Sequence, residues 1–193
     1  MLFCLLSFTK AYGYNNYYPR NYDYYDGYYY CYEYYIDIPK WERDVPLNYT
    51  LQKYTYDTCS EYDIDYDTVL GVIKLESDFD AECVSLNKDN NGNVLSKDEG
   101  LMQINSFHTH WYAELAGLEK YDSLDPYDSI KMGIAGLAFY RDYWEGEGIE
   151  EPELTIYMLN SYNMGIGGYR SYLKRSENIS RSYDRVARSW QDE

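Results

Sequence analysis

Beyond Pro46 the apolar residues recur with a helical period, and no segment carries a convincing run of strand alternation. The pattern predicts at least five helices. Asn48 can cap the first, which carries Leu51 and Tyr54 and ends near Tyr62. Asp65 can cap the second, where Val69, Val72, Ile73 and Glu76 fall at i, i+3, i+4 and i+7, so Glu76 is expected on the apolar face. A third helix is expected from about Asn105 to Ala116, stopped by Gly117. Asp125-Pro126-Tyr127-Asp128 is a stronger start, because it combines a cap, a proline at the first helical position and an acid in the first turn. Ile130, Ile134, Leu137 and Ala138 form the face that follows, with Gly133 and Gly136 allowing close packing. A fifth helix opens at Pro152, runs through Leu154 and Met158 and meets Gly165 past its end; one or two more are expected before Trp190.

The chain ahead of Pro46 reads differently. Residues 2–8 are the one strongly apolar run, too short to span a membrane. Thr9-Lys10-Ala11 places small side chains where a secretory signal would be cut, before Tyr12, although no basic leader precedes it. Residues 1–11 are therefore expected to be the remnant of a signal peptide, and the protein to be secreted and associated with the cell wall. From Tyr12 to Tyr35 the chain holds 13 tyrosines among Asn, Asp and Gly, with almost no aliphatic residue to build a core. Residues 12–46 are expected to be a disordered Tyr-rich linker and 47–193 a single mostly α-helical domain, monomeric. Cleavage would leave Cys31, Cys59 and Cys83, an odd number; Cys59 and Cys83 flank the second helix and either pair or remain separate thiols.

Charge narrows the partners. With 33 acidic against 17 basic residues the formal charge is -16, which repels a phosphate backbone, so nucleic acid is an unsuitable partner. Glycans are read by hydrogen bonds and stacking and are not excluded. A glutamate on a buried helix face is costly unless neutral, paired or functional, because desolvation raises a carboxyl pKa, and a general acid needs that shift.

Glu76-Ser77 is followed by Gly100-Leu101-Met102-Gln103-Ile104-Asn105 and later by Ser161-Tyr162-Asn163-Met164-Gly165. Each block alone is weak. Together, in this order and spacing, they resemble the lytic transglycosylase domain, related in fold to goose-type lysozyme, over about residues 47–190. The resemblance implies a lysozyme-like helical fold with a glycan groove that cleaves the β-1,4 bond between N-acetylmuramic acid and N-acetylglucosamine in peptidoglycan without a cofactor. It implies Glu76 as general acid and then base, Ser77 near the reaction centre, and Gln103 and Asn163 as amides for the N-acetyl group. It also implies Met102 and Tyr162 as faces for sugar rings, and Tyr183 as a late tyrosine approaching the acid. Ser161 departs from the family pattern, which has alanine there.

Glycosidases generally need a second carboxylate, whereas transglycosylases of this kind use the muramoyl 6-hydroxyl and leave a 1,6-anhydro end. Asp78, Asp80, Asp98 and Glu99 lie near the motifs, so a hydrolytic muramidase is the nearest alternative. A non-catalytic wall-binding protein is a further one. Residues 87–98 run like the start of a calcium loop, with Asn first and Asp98 twelfth, but a polar turn fits better. His108 and His110 sit two apart on a predicted helix, so they face apart and make no metal site.

Overall fold

The structure is a computed structural model that describes residues 39–176 in full and the backbone alone of 22–25, 28–31 and 177–189. The expected signal remnant, Cys31 and Trp190 lie outside the fully described residues, as does the side chain of Tyr183. The chain divides into two compact units, Met1–Pro46 and Leu47–Glu193. In the first, strands β1 (Tyr22–Tyr25) and β2 (Tyr28–Cys31) pair antiparallel, with Tyr22 opposite Cys31.

The second unit is mostly helical, with a lysozyme-like fold. Helix α1 spans Tyr49–Tyr62, and the Asn48 side chain accepts from the Leu51 amide. Helix α2 spans Tyr66–Ser77, where Asp65 Oδ2 accepts from the Thr68 amide at 2.7 Å. Both caps satisfy amide donors that a helix start leaves unpaired. Helix α2 ends where Asp78 and Phe79 both take left-handed backbone angles, which turns the chain away directly after Glu76 and Ser77.

A hairpin then occupies a stretch where the sequence carries no convincing run of strand alternation. Strand β3 (Val84–Lys88) pairs antiparallel with β4 (Val94–Glu99), which pairs with β5 (Ile104–Asn105). Its turn is closed by Asp89, whose carboxylate accepts from the backbone amides of Asn91 and Asn93 and from the Asn93 side chain, with Gly92 at φ +86°. These bonds hold the Asp89 carboxyl below its ordinary range. The segment resembling a calcium loop is thus a polar turn between strands, and its twelfth position, Asp98, bonds to Asn87 and Asn105. Because Ile104 and Asn105 are in β5, helix α3 (Thr109–Leu115) starts later than the sequence pattern suggested.

Helix α4 (Pro126–Gly146) packs against α1, α3 and α5 and is buried on several faces, as expected of a helix at the centre of a core. Its small residues let neighbours approach. A Cβ at Gly133 would lie 2.5 Å from Met102 Cε, and one at Gly136 would lie 2.2 Å from Tyr112 Cε1. Helix α5 (Glu153–Ser189) is interrupted at Gly165, whose φ of 70° and ψ of 159° are not helical. Both sides of this interruption join α4 through a cluster of Trp144, Leu154 and Tyr169. Among the described residues no helix is long and apolar enough to cross a membrane, and Cys59 and Cys83 are both free thiols.

Among the glycines of the described residues the tightest approach is at Gly100, which has φ +76° and would place a Cβ 1.9 Å from the carbonyl oxygen of Ser123. That oxygen belongs to backbone and cannot swing aside. Gly100→Ala should cost about 3 kcal/mol or more. Gly71, with nothing within 4 Å of a built Cβ, is the control. Gly71→Ala should stabilise by about 0.5–1 kcal/mol through better helix propensity. Urea unfolding checks both, and a Gly100→Ala loss under about 1 kcal/mol would contradict the packing of this turn.

Candidate functional site

A cleft of about 660 Å³ opens between the helical body and the hairpin. Helix α2 contributes Glu76 from its last turn, and the hairpin contributes Ser85, Asn87 and Asp98. The Gly-Leu-Met-Gln block and the turn after it add Gln103, Asn105, Phe107 and His108. Tyr112 and Tyr140 line it from α3 and α4, and Tyr162, Asn163, Met164 and Gly165 from α5.

Glu76 reaches this cleft because α2 buries Val69, Val72 and Ile73 on the same stripe, which fixes the roll of the helix. It is half-buried. Loss of hydration pushes its carboxyl pKa above the ordinary value of 4.5, and the negative charge of Asp98 adds to the effect. The phenols of Tyr112 and Tyr162 are also pushed up, chiefly by burial and in part by Glu76. The three tyrosine rings pack edge-on, with Tyr162 6.3 Å from Tyr112 and 6.4 Å from Tyr140. They form a wall of aromatic edges and hydroxyl groups beside the acid.

The structure brings together four of the residues expected from the sequence, namely Glu76, Gln103, Tyr162 and Asn163. Gln103 has φ 47°, a conformation that costs a non-glycine residue of order 1 kcal/mol or more and is held here by its surroundings. Its Nε2 donates to the carbonyls of Cys83 and Gly100, both at 3.0 Å, which leaves Oε1 as the atom available to a ligand. Asn163 is exposed at the cleft. Tyr162 Oη donates to the Met102 carbonyl at 2.7 Å.

Ser77 and Met102 do not line the cleft. Ser77 Oγ lies buried within reach of the carbonyls of Ile73 (3.1 Å) and Leu101 (2.9 Å), so it fastens the Gly-Leu-Met-Gln block to α2. Met102 is fully buried against Gly133, and its amide donates to Ser129 Oγ. A fixed offset from the acid places a residue near a site without saying which way its side chain points. Apolar surface at the cleft comes instead from residues such as Phe107, whose ring is 72% exposed.

The sequence pattern missed the hairpin residues and gave Asp98 only as a possible base. Ser85 and Asn87 alternate with Val84 and Leu86, a period-two signal, but the polar face turns to the cleft and the apolar one to solvent. The other acids near the motifs are engaged elsewhere: Asp78 pairs with Lys74, and Glu99 with Lys97 at 2.6 Å. His108 lines the cleft whereas His110 faces Glu114 at 3.2 Å, so the two histidines do point apart. Among the described residues no group of three or more His, Cys, Asp or Glu could hold a metal ion. Ser161 is fully buried and accepts a hydrogen bond from Trp144 Nε1 at 2.7 Å, which explains a hydroxyl where the family pattern has alanine.

The model of one protein family, the Transglycosylase SLT domain, matches residues 54–184. No curated protein matches the chain. Among solved structures it is similar to Bd0314 DslA in its wild-type form 2, at 19% identity and a TM-score of 0.40, over 55% of this chain and 74% of that one. Two mutant forms of the same protein match over the same shares, at 19% identity with a TM-score of 0.40 and at 18% with 0.41.

The raised pKa of Glu76 has a consequence for stability. The folded protein holds this proton more tightly than the unfolded chain, so ionising Glu76 weakens the fold. The penalty is absent below pH 4.5, grows as the pH rises through the raised value, and is constant above it. Glu76→Gln cannot ionise and should melt above wild type at pH 7, the gap closing in acid. Equal Tm values at pH 7, or a gap that persists at about pH 3, would contradict the electrostatics of the site.

Proposed function

Because the chain belongs to the Transglycosylase SLT domain family, a peptidoglycan-acting family, we propose that it is a secreted lytic transglycosylase that cleaves the β-1,4 bond between N-acetylmuramic acid and N-acetylglucosamine. The observation that carries this reading is Glu76, half-buried in a polar cleft with its pKa raised.

Protonated Glu76 donates its proton to the glycosidic oxygen as the bond to the anomeric carbon breaks. The resulting carboxylate then takes a proton from the muramoyl 6-hydroxyl as that oxygen attacks the same carbon. Glu76 ends protonated, no water is consumed, and the muramoyl end closes as a 1,6-anhydro sugar. Gln103 Oε1 and the Asn163 amide suit the N-acetyl group, and the exposed Phe107 ring suits the face of a sugar. Tyr162 and Tyr140 supply the aromatic wall beside the acid.

A second reading, hydrolysis by water, is favoured by the position of Asp98 in the same cleft as Glu76. The products separate the two. A correctly held internal nucleophile can reach an effective molarity of about 10⁵ M, far above bulk water at about 55 M, so the anhydro outcome is expected.

Two measurements test the proposal. Glu76→Gln should fold and lose wall-lytic activity by about 10² to 10⁴-fold, roughly 3 to 5 kcal/mol, whereas activity within threefold of wild type removes Glu76 from the mechanism. Mass spectrometry of digests from purified sacculi should give muropeptides lighter by one water and inert to borohydride at the muramoyl end. Reducible muramic acid as the main product would identify a muramidase.

A further inference from the structure

We propose that Asp98 is a second catalytic carboxylate, oriented at the cleft by two asparagine amides so that it stabilises the positive charge developing at the anomeric carbon. The inference rests on reading the cleft as a glycan-cleaving site, and adds a residue that the family resemblance does not supply.

Asp98 lies on β4, and its neighbours make an anion seat. Asn105 Nδ2 donates to Oδ1 at 2.6 Å and Asn87 Nδ2 donates to Oδ2 at 2.8 Å. Both amides are pinned from behind, since each also reaches Ser96 Oγ, at 3.2 and 3.0 Å. Amide N–H groups stabilise the ionised form of a carboxyl and offer nothing to its proton. The seat is neutral. Among the described residues no cation lies within ion-pair distance of Asp98, unlike Asp78 and Glu99, which have lysine partners. Asp98 therefore faces the cleft without a cationic partner, where it adds to the rise of the Glu76 pKa.

The hairpin is built toward this end. Ser85, Asn87 and Asp98 face the cleft while Val84, Leu86 and Val94 are 44%, 51% and 54% exposed, the reverse of what burial of apolar surface favours. An arrangement that gives up apolar burial to hold polar groups in a cleft points to function. The two carboxylates sit in different environments: Glu76 is half-buried and its pKa is pushed up by lost hydration, whereas Asp98 accepts hydrogen bonds from two amides. Both Asp98 oxygens are already acceptors of short bonds, which lowers their nucleophilicity and leaves the 6-hydroxyl as the attacking group. Stabilisation of this kind acts on the transition state and so appears in kcat.

The test compares wild type, Asp98→Asn, Asn87→Ala and Glu76→Gln in the full chain on purified sacculi, with circular dichroism as the check on folding. Asp98→Asn should fold, lose about 10² fold or more in kcat with KM within about threefold, and move the alkaline limb of the pH profile to lower pH, because Glu76 loses a repelling neighbour. Asn87→Ala breaks one of the same hairpin bonds but keeps the charge, and should retain at least a tenth of wild-type kcat. Asp98→Asn activity within threefold of wild type, an unmoved alkaline limb, an unfolded Asp98→Asn, or an equal loss in Asn87→Ala would each overturn the proposal. The first two leave Asp98 without a charge effect, and the last two leave it only a bracing role. If Glu76→Gln keeps wild-type activity, the reading of the cleft falls and Asp98 falls with it. If only Asp98→Asn behaves as wild type, that reading stands.

Discussion

The backbone of Leu101 and Met102 is where three helices meet, and the cleft takes its shape from how that backbone is held. Ser77 at the end of α2 binds the Leu101 carbonyl, Ser129 of α4 takes the Met102 amide, and Tyr162 of α5 donates to the Met102 carbonyl. Each bond is inside the protein, where an unmade partner would cost about 1–3 kcal/mol. Met102 adds packing to this fastening, since it fills the space that Gly133 leaves open. Glu76 precedes Ser77, Gln103 follows Met102 and Asn163 follows Tyr162. The clamp therefore sets the relative positions of the acid and of two amides without any of the clamping groups having to touch a ligand, apart from Tyr162. This division of labour is a general requirement of a precise site, in which the groups that act are oriented by groups that only hold.

The electrostatics follow from where the hairpin lies. Helix α2 delivers Glu76 half-buried among tyrosine rings, where lost hydration pushes its pKa up. Strand β4 delivers Asp98 into the same cleft but among amide donors. Two acids of ordinary chemistry are thus set in different surroundings, one desolvated beside aromatic rings and one hydrogen-bonded by amides.

The helical part of this arrangement was legible in the sequence because it is governed by local rules. Asn48, Asp65 and Asp125 cap the helices they were expected to cap, Gly165 interrupts α5, and the stripe from Val69 to Glu76 faces inward. Residues of the three motif blocks line one cleft. What could not be read was direction. Ser77 and Met102 stand one position from residues that line the cleft, yet both side chains are turned into the core, and only tertiary packing decides that. The hairpin was missed because its alternation runs with the polar side inward, so that counting apolar positions made it look like loop. Ser161 shows the same limit: its hydroxyl makes sense once Trp144, 17 residues away, is seen to donate to it.

The central claim is that the cleft keeps Glu76 protonated beyond the range of an ordinary carboxyl group. It is tested most directly by following the side-chain carboxyl ¹³C resonance of Glu76 through a pH titration of the folded protein, assigned by comparison with Glu76→Gln. The account predicts a midpoint above 4.5 that falls when Asp98 is replaced by asparagine. A midpoint at or below 4.5, indifferent to Asp98, would contradict it.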